Sequence, residues 1–190
     1  MFSWLFSCPG SSDHKSSYAA ISLRQILTSI IMATENKTFD ANKHLIVPPK
    51  TFSQLAIGDI FRAPSRTLTD AHASAFQTVS CDNHPVHYDA VWAAKHGHVA
   101  PVVHGLQVLS FTAPGATLFP HYIGEAFIAF TELSCKFLKE VHSGDTLYPE
   151  IEITGLTPQG ENGLVVAAVS VHNQHGELVL SGEHKYLLKQ

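Results

Sequence analysis

An α+β domain, with an antiparallel sheet wrapped around one apolar helix, is the fold class this sequence predicts, and three observations carry it. The last third alternates apolar and polar residues with period two. Ile151 and Ile153 mark a run from Leu147 to Leu156, Val165, Ala167, Val169 and Val171 mark a second from Leu164 to His172, and a third runs from Leu178 to Leu188; half-buried strands have this pattern. Turn sequences at Ser143-Gly144-Asp145, Gln159 to Gly163 and Asn173 to Glu177 precede or separate these runs, which makes an antiparallel meander. Ahead of the meander, Gly105 to Thr117 is nearly all apolar, with Leu106, Val108, Leu109, Phe111 and Ala113. That segment reads as a buried helix which Pro114-Gly115 ends or kinks.

The elements before it follow in order. Residues 1–46 have a different texture, Ser-rich and without a sustained core pattern. Met1 to Phe6 is apolar at once and the first lysine is Lys15, the reverse of a secretory signal. With only Lys15 and Arg24 basic before residue 30, a transit peptide is poorly supported, and Ile21 to Ile31 is too short to span a bilayer. The expectation is a disordered or weakly helical N-terminal extension, with Met32-Ala33-Thr34 as an alternative start, and a single domain over 47–190. Phe52 to Asp59 leads into a strand at about residues 60–67. Thr69 or Asp70 caps a helix, Ala71 to Val79, with Ala71, Ala75, Phe76 and Val79 on one face. Asp89 begins a second short helix (Ala90, Val91, Ala94) that ends near Gly97. Ala126 to Phe137 alternates loosely and reads as a strand.

Composition bounds the partners. The 190 residues carry a formal net charge of −4 with 12 scattered Lys and Arg, so the basic stripe that holds phosphate backbones is missing. Neither a nucleic acid nor a membrane is an expected partner. Three cysteines, Cys8, Cys81 and Cys135, are widely spaced with no CxxC pair. They read as small, buried, inert side chains in a reducing, cytoplasmic compartment.

The polar chemistry concentrates in Asp82-Asn83-His84-Pro85-Val86-His87-Tyr88-Asp89. Asp82 and His87 are about 17 Å apart in an extended chain, but Pro85 fixes its own φ and pushes His84 out of the helical region, so the loop is biased to turn. Folded back, a carboxylate and a neutral imidazole sharing one water form a workable general base. Two other readings use the same residues. Asp82 as a turn cap with His87 at the surface is one. A metal site from His84, His87 and His104 with Asp82 or Asp89 is the other, although no HExxH-like spacing accompanies them. Downstream, Pro101-Val102-Val103-His104-Gly105 stands where the apolar helix begins. Helix N-termini have unpaired N–H groups, and Gly105 lacks the Cβ that would keep a ligand oxygen from its N–H. Such a donor suits a developing enolate, and close packing against the sheet explains the same glycine.

Aspartate, two residues, proline, one residue and histidine, then a His-Gly before an apolar helix, resembles the MaoC-like dehydratases, which include the (R)-specific enoyl-CoA hydratases of the hot-dog fold. Phe137-Leu138-Lys139-Glu140-Val141-His142-Ser143-Gly144-Asp145-Thr146-Leu147 is similar to that family's F-x-x-P-V-x-x-G-D-T-L, with Glu140 in place of the usual proline. The resemblance spans roughly residues 50–188 and implies a hot-dog domain, usually a homodimer. It implies hydration or dehydration of an acyl thioester carried on CoA or a carrier protein, without a cofactor and without a metal. Asp82 and His87 then take the catalytic positions and activate one water, and Gly105 offers its N–H to the thioester oxygen. His104 and His84 join Gly105 as substrate-binding residues; His84 stands where many relatives have asparagine, which bears on substrate choice. Asp145 is read as holding its turn. A non-catalytic acyl-thioester-binding or partner subunit is an alternative, and a hot-dog thioesterase another, less favoured because Leu106 to Thr117 holds no carboxylate.

Overall fold

The computed structural model describes Leu23–Arg24 and residues 39–190, and the chain divides into two compact units, Met1–His44 and Leu45–Gln190. In the first, Leu23 and Arg24 are helical and a single 3-10 turn, Ala41–Lys43, is capped by Asp40, whose carboxylate accepts from the Asn42 N–H at 3.0 Å. Most of the expected extension, with the Met32-Ala33-Thr34 start and Cys8, lies outside the described residues. No helix among the described residues is long and apolar enough to cross a membrane.

The second unit is built on six strands: β1 (Ile60–Arg62), β2 (Arg66–Thr67), β3 (Phe127–Phe137), β4 (Thr146–Gln159), β5 (Asn162–His172) and β6 (Leu178–Lys189). Their order is β1-β4-β5-β6-β3, every pairing is antiparallel, and β2 pairs separately with β4. The period-two reading holds residue by residue. Ile151 and Ile153 of β4 and Val165, Ala167, Val169 and Val171 of β5 are buried with polar or half-buried neighbours between them. Val171 pairs with Leu180 and His172 with Leu178, so Val179 bulges out of the ladder; Val179 and Leu180 are consequently both buried.

Three expectations change. The strand expected over 60–67 is two, because Pro64 has no N–H to give a ladder; Ala63 makes the last bond, to the Pro149 carbonyl at 3.1 Å. The first helix, α1 (Asp70–Ser80), has the expected cap at Thr69, whose N–H donates to His72 Nδ1 at 3.1 Å, but none of its residues is buried, and Val79 is 83% exposed. After α2 (Ala90–Lys95), the apolar stretch from Gly105 is no single long helix. It gives α3 (Gly105–Ser110), a turn, a 3-10 turn over Pro114–Ala116 and α4 (Phe119–Ile123), since Pro114 cannot donate one turn back and clashes with the preceding carbonyl. On α3 the buried residues are Gln107 and Val108, while Leu106 faces out. Val103, Val108, Phe119 and Ile123 complete the core against the sheet. Phe61 meets Phe119 edge-on at 5.1 Å.

One polar chain crosses this core. The Thr112 hydroxyl donates to the Leu109 carbonyl at 2.8 Å, its oxygen accepts from His184 Nε2 at 3.3 Å, and His184 Nδ1 accepts from the Tyr186 hydroxyl at 2.7 Å. Every donor in the chain has an acceptor. His184 and Tyr186 are fully buried; burial pushes the imidazole down to about 4 and the phenol up, because low-polarity surroundings disfavour the charged form of each.

Candidate active site

The loop after α1 folds back as its sequence asks. Cys81 ends the helix in the left-handed region (φ 57°), its N–H on the Gln77 carbonyl at 3.0 Å, a conformation uncommon outside glycine. The turn leaves Cys81 exposed, and Cys135 in β3 is half-buried, against the expectation that both are buried. Ser80 Oγ then accepts from the Asp82 N–H at 3.2 Å, and Asp82 Oδ1 from the His84 N–H at 3.3 Å. His84 is extended (φ −66°, ψ 131°), as the residue before proline prefers, and Pro85 opens a 3-10 turn, Pro85–His87. One short turn thus brings back the histidine five residues on: His87 Nε2 lies 3.6 Å from Asp82 Oδ2.

Hydrogen bonding fixes the tautomer of that histidine. His87 Nδ1 lies 2.7 Å from the Val102 carbonyl oxygen, which can only accept, so Nδ1 carries the hydrogen and Nε2 turns to Asp82. Val102 is itself held by donating to the Val86 carbonyl at 2.9 Å and by a bridge to His142. The His87 side chain is 13% exposed and that of Asp82 51%, so the imidazole is screened and the carboxylate is wet. A water about 2.8 Å from each would see the two atoms about 80° apart, narrower than the roughly 105° between its two O–H bonds, so both contacts would be bent rather than linear.

His87 and Gly105 face one cavity of about 440 Å³, walled by Val103, Val108, Phe137, Leu138 and Val179, with Lys139 and Glu140 beside it. Gly105 is the first residue of α3, so the helix offers its N–H no acceptor. The Phe137 ring lies against the glycine: an added Cβ would stand 3.1 Å from Cε1. A second cavity of about 490 Å³, lined by Ser74, Gln77 and Tyr88, also borders His87.

Of the other sequence-predicted residues, His104 is 2% exposed, donates from Nε2 to the Asp82 carbonyl at 3.0 Å, and stacks on His87 with ring centres 3.8 Å apart and planes 23° apart. His84 is exposed; its Nδ1 accepts from the Val86 N–H at 3.3 Å and its ring stands edge-on to Trp92, away from the cavity lining. Asp89 caps α2 through the N–H groups of Val91 and Trp92, both at 2.9 Å. Asp145 ties its turn, accepting from the His142 N–H at 2.8 Å and from Gln174 Nε2 at 2.7 Å. Glu140, where the motif it resembles usually has proline, meets His98 Nδ1 at 2.8 Å and His142 Nε2 at 3.6 Å.

Asp82, His87 and His104 bring one possible ligand atom each within 4.8 Å of one another, close enough in distance for a shared metal. Metal–nitrogen bonds of about 2.1 Å lie in the imidazole plane. Two planes that start 3.8 Å apart and converge by 23° have not met at that distance. The stack disfavours a shared metal and suits two imidazoles that keep each other in place.

Sequence reasoning missed the Val102 carbonyl, the His87–His104 stack and the Phe137 ring on Gly105. Phe137 at least stood in a motif; the other two are contacts between distant segments.

The profile described as MaoC like domain matches residues 52–175 of the chain. A mitochondrial 3-hydroxyacyl-[acyl-carrier-protein] dehydratase of Arabidopsis thaliana is 28% identical over 137 residues, 70% of this chain and 78% of its own. An (R)-specific enoyl-CoA hydratase of Aeromonas caviae is 27% identical over 123 residues, 63% of this chain and 85% of its own. Among solved structures, an Archaeoglobus protein described as a monoamine oxidase regulatory protein superposes with TM-score 0.71 at 27% identity, covering 77% of this chain and 98% of its own. A Mycobacterium tuberculosis protein described as a double hot-dog fold matches with TM-score 0.62 at 23% identity, covering 74% of this chain and 44% of its own. The fold is hot-dog.

Proposed function

We propose that this chain, which belongs to the MaoC like domain family, reversibly adds water across the 2,3 double bond of an enoyl thioester to give an (R)-3-hydroxyacyl thioester. The observation that carries the proposal is the approach of His87 Nε2 to Asp82 Oδ2 at 3.6 Å beside a cavity that also reaches Gly105. A water held by both groups loses a proton to His87 Nε2 as its oxygen bonds to C3. The π electrons move to C2 and the thioester carbonyl, whose oxygen gains charge and takes the Gly105 N–H. The proton on His87 is then delivered to C2, and both catalytic groups end as they began. The reverse sequence is a dehydration. The apolar walls from Val103, Val108 and Val179 suit an acyl chain, and the reaction as written asks for no metal or cofactor.

A homodimer is part of the proposal. Among the described residues β3 pairs only with β6, and its Phe127, Ile128, Phe130, Leu133 and Phe137, with Leu138, are each 40% to 51% exposed. An edge strand with so much apolar surface is a liability unless a second chain covers it.

The test is the hydration of crotonyl-CoA by the purified chain beside an Asp82→Asn variant. The wild type turns over, and the variant, which keeps the size of the side chain but not its charge, is slower by about 10²-fold or more. Equal rates would remove Asp82 from the mechanism, and no turnover by the wild type across short and long enoyl-CoAs would favour the binding-subunit reading.

A further inference from the structure

We infer that His104 is a positioning residue for the reaction proposed above, holding the Asp82 backbone with its Nε2–H and backing the His87 ring with its own. The inference rests on that reading, but its geometry is independent of it. Asp82, His87 and Gly105 belong to three separate pieces of chain: the end of α1, a 3-10 turn and the start of α3. His104 touches or adjoins all three. Its Nε2 is 3.0 Å from the Asp82 carbonyl oxygen, its ring is 3.8 Å from that of His87, and Gly105 is the next residue. Phe76 of α1 also meets its ring, with centres 5.3 Å apart and planes tilted by 50°.

The Asp82 carboxylate needs such an anchor. It is half exposed, and among the described residues its side chain is tied locally only by the His84 N–H at 3.3 Å. It directly follows Cys81, which is held at φ 57°. Where the carboxylate sits therefore depends on where the backbone sits, and the backbone carbonyl of Asp82 is fixed by His104. A carbonyl only accepts, so His104 Nε2 carries a hydrogen. Nδ1 is buried with no partner among the described residues, which leaves the Asp82 carbonyl as the polar anchor of the ring. At 2% exposure the ring does not present an edge to substrate. The sequence reading of His104 as a substrate contact thus gives way to one in which it acts through Asp82 and His87.

Two variants separate the hydrogen bond from the stack. His104→Phe keeps a flat ring against His87 and loses the donor; His104→Gln keeps a donor near the same place and loses the ring. With crotonyl-CoA, kcat of the phenylalanine variant falls about 10-fold or more, as displacements of an ångström in catalytic groups do, while KM stays within about twofold. The glutamine variant recovers most of that loss. A phenylalanine variant with full kcat, a glutamine variant no better than it, or a loss confined to KM overturns the inference. Histidine nitrogen shifts of the wild type, read by NMR, keep the two proposals apart: they show His104 in the Nε2–H form whether or not the protein turns over crotonyl-CoA. Finding the Nδ1–H form overturns the positioning role with the function untouched, whereas absent turnover with the Nε2–H form overturns the function and leaves only the anchor geometry standing.

Discussion

Two groups of buried imidazoles in this domain are built on opposite principles. Around His184 every polar atom is used: Tyr186 donates to it, it donates to Thr112, and Thr112 donates to the Leu109 carbonyl. Around His87 the accounts are open. Nδ1 is taken by Val102, but Nε2 faces a carboxylate at 3.6 Å, beyond a direct bond, beside a cavity. Among the described residues, His104 behind it leaves one buried nitrogen unpaired. A closed network fixes a fold and offers nothing to a substrate, whereas an open one has lone pairs to spend on a reaction. Residue type alone does not distinguish the two, but hydrogen-bond partners do.

That contrast breaks most directly by exchanging the damage. His87→Ala lowers hydration of crotonyl-CoA by about 10²-fold or more with little change in the urea midpoint. His184→Ala does the reverse, costing about 2–4 kcal/mol of stability through a core cavity and a stranded Tyr186 hydroxyl, with near-normal kcat per folded molecule. Comparable activity losses in both variants would dissolve the distinction.

The pH dependence of stability sharpens it. His184 is held near 4 in the fold, against about 6.5 in the unfolded chain. Between those values the unfolded state takes up a proton that the folded state refuses, so stability falls as pH drops from about 6.5 towards 4 and the contribution levels off below. The difference is worth about 3 kcal/mol, read from urea unfolding at a series of pH values. Its size in His184→Ala should shrink by that amount, and an unchanged slope would contradict the assignment.

Smaller effects follow at the edges of each cluster. Gly105→Ala puts a methyl group 3.1 Å from the Phe137 ring, and about a 10-fold loss in kcat follows from a shifted donor; unchanged kcat would show that the ring yields without disturbing the N–H. Tyr186→Phe removes one donor from the closed chain and costs about 1 kcal/mol, visible as a lowered urea midpoint with activity intact.

Much of this was legible beforehand, and the failures have physical reasons. The strands of the meander followed from period two, and the bend at Pro85 from the restrictions proline places on itself and on His84. Asp82, His87 and Gly105 stand in local motifs, but it is the family resemblance those motifs carry, not their chemistry alone, that singles them out for catalytic and binding roles. The length of the helix from Gly105 was misjudged because a run of apolar residues says what is buried but not whether Pro114 leaves the backbone continuous. The expected face of α1 was apolar, yet Val79 is 83% exposed, since periodicity marks a face and cannot say what lies opposite. The Val102 carbonyl and the stack of His104 on His87 join segments 15 to 17 residues apart, and no local pattern encodes them.

Incubating crotonyl-CoA with the wild-type chain in oxygen-18 water and weighing the products tests the central claim most directly. Water activated between Asp82 and His87 predicts 3-hydroxybutyryl-CoA with the heavy oxygen on C3 and the thioester whole. Free CoA with the label in a carboxylate, or unlabelled substrate returned intact, contradicts it.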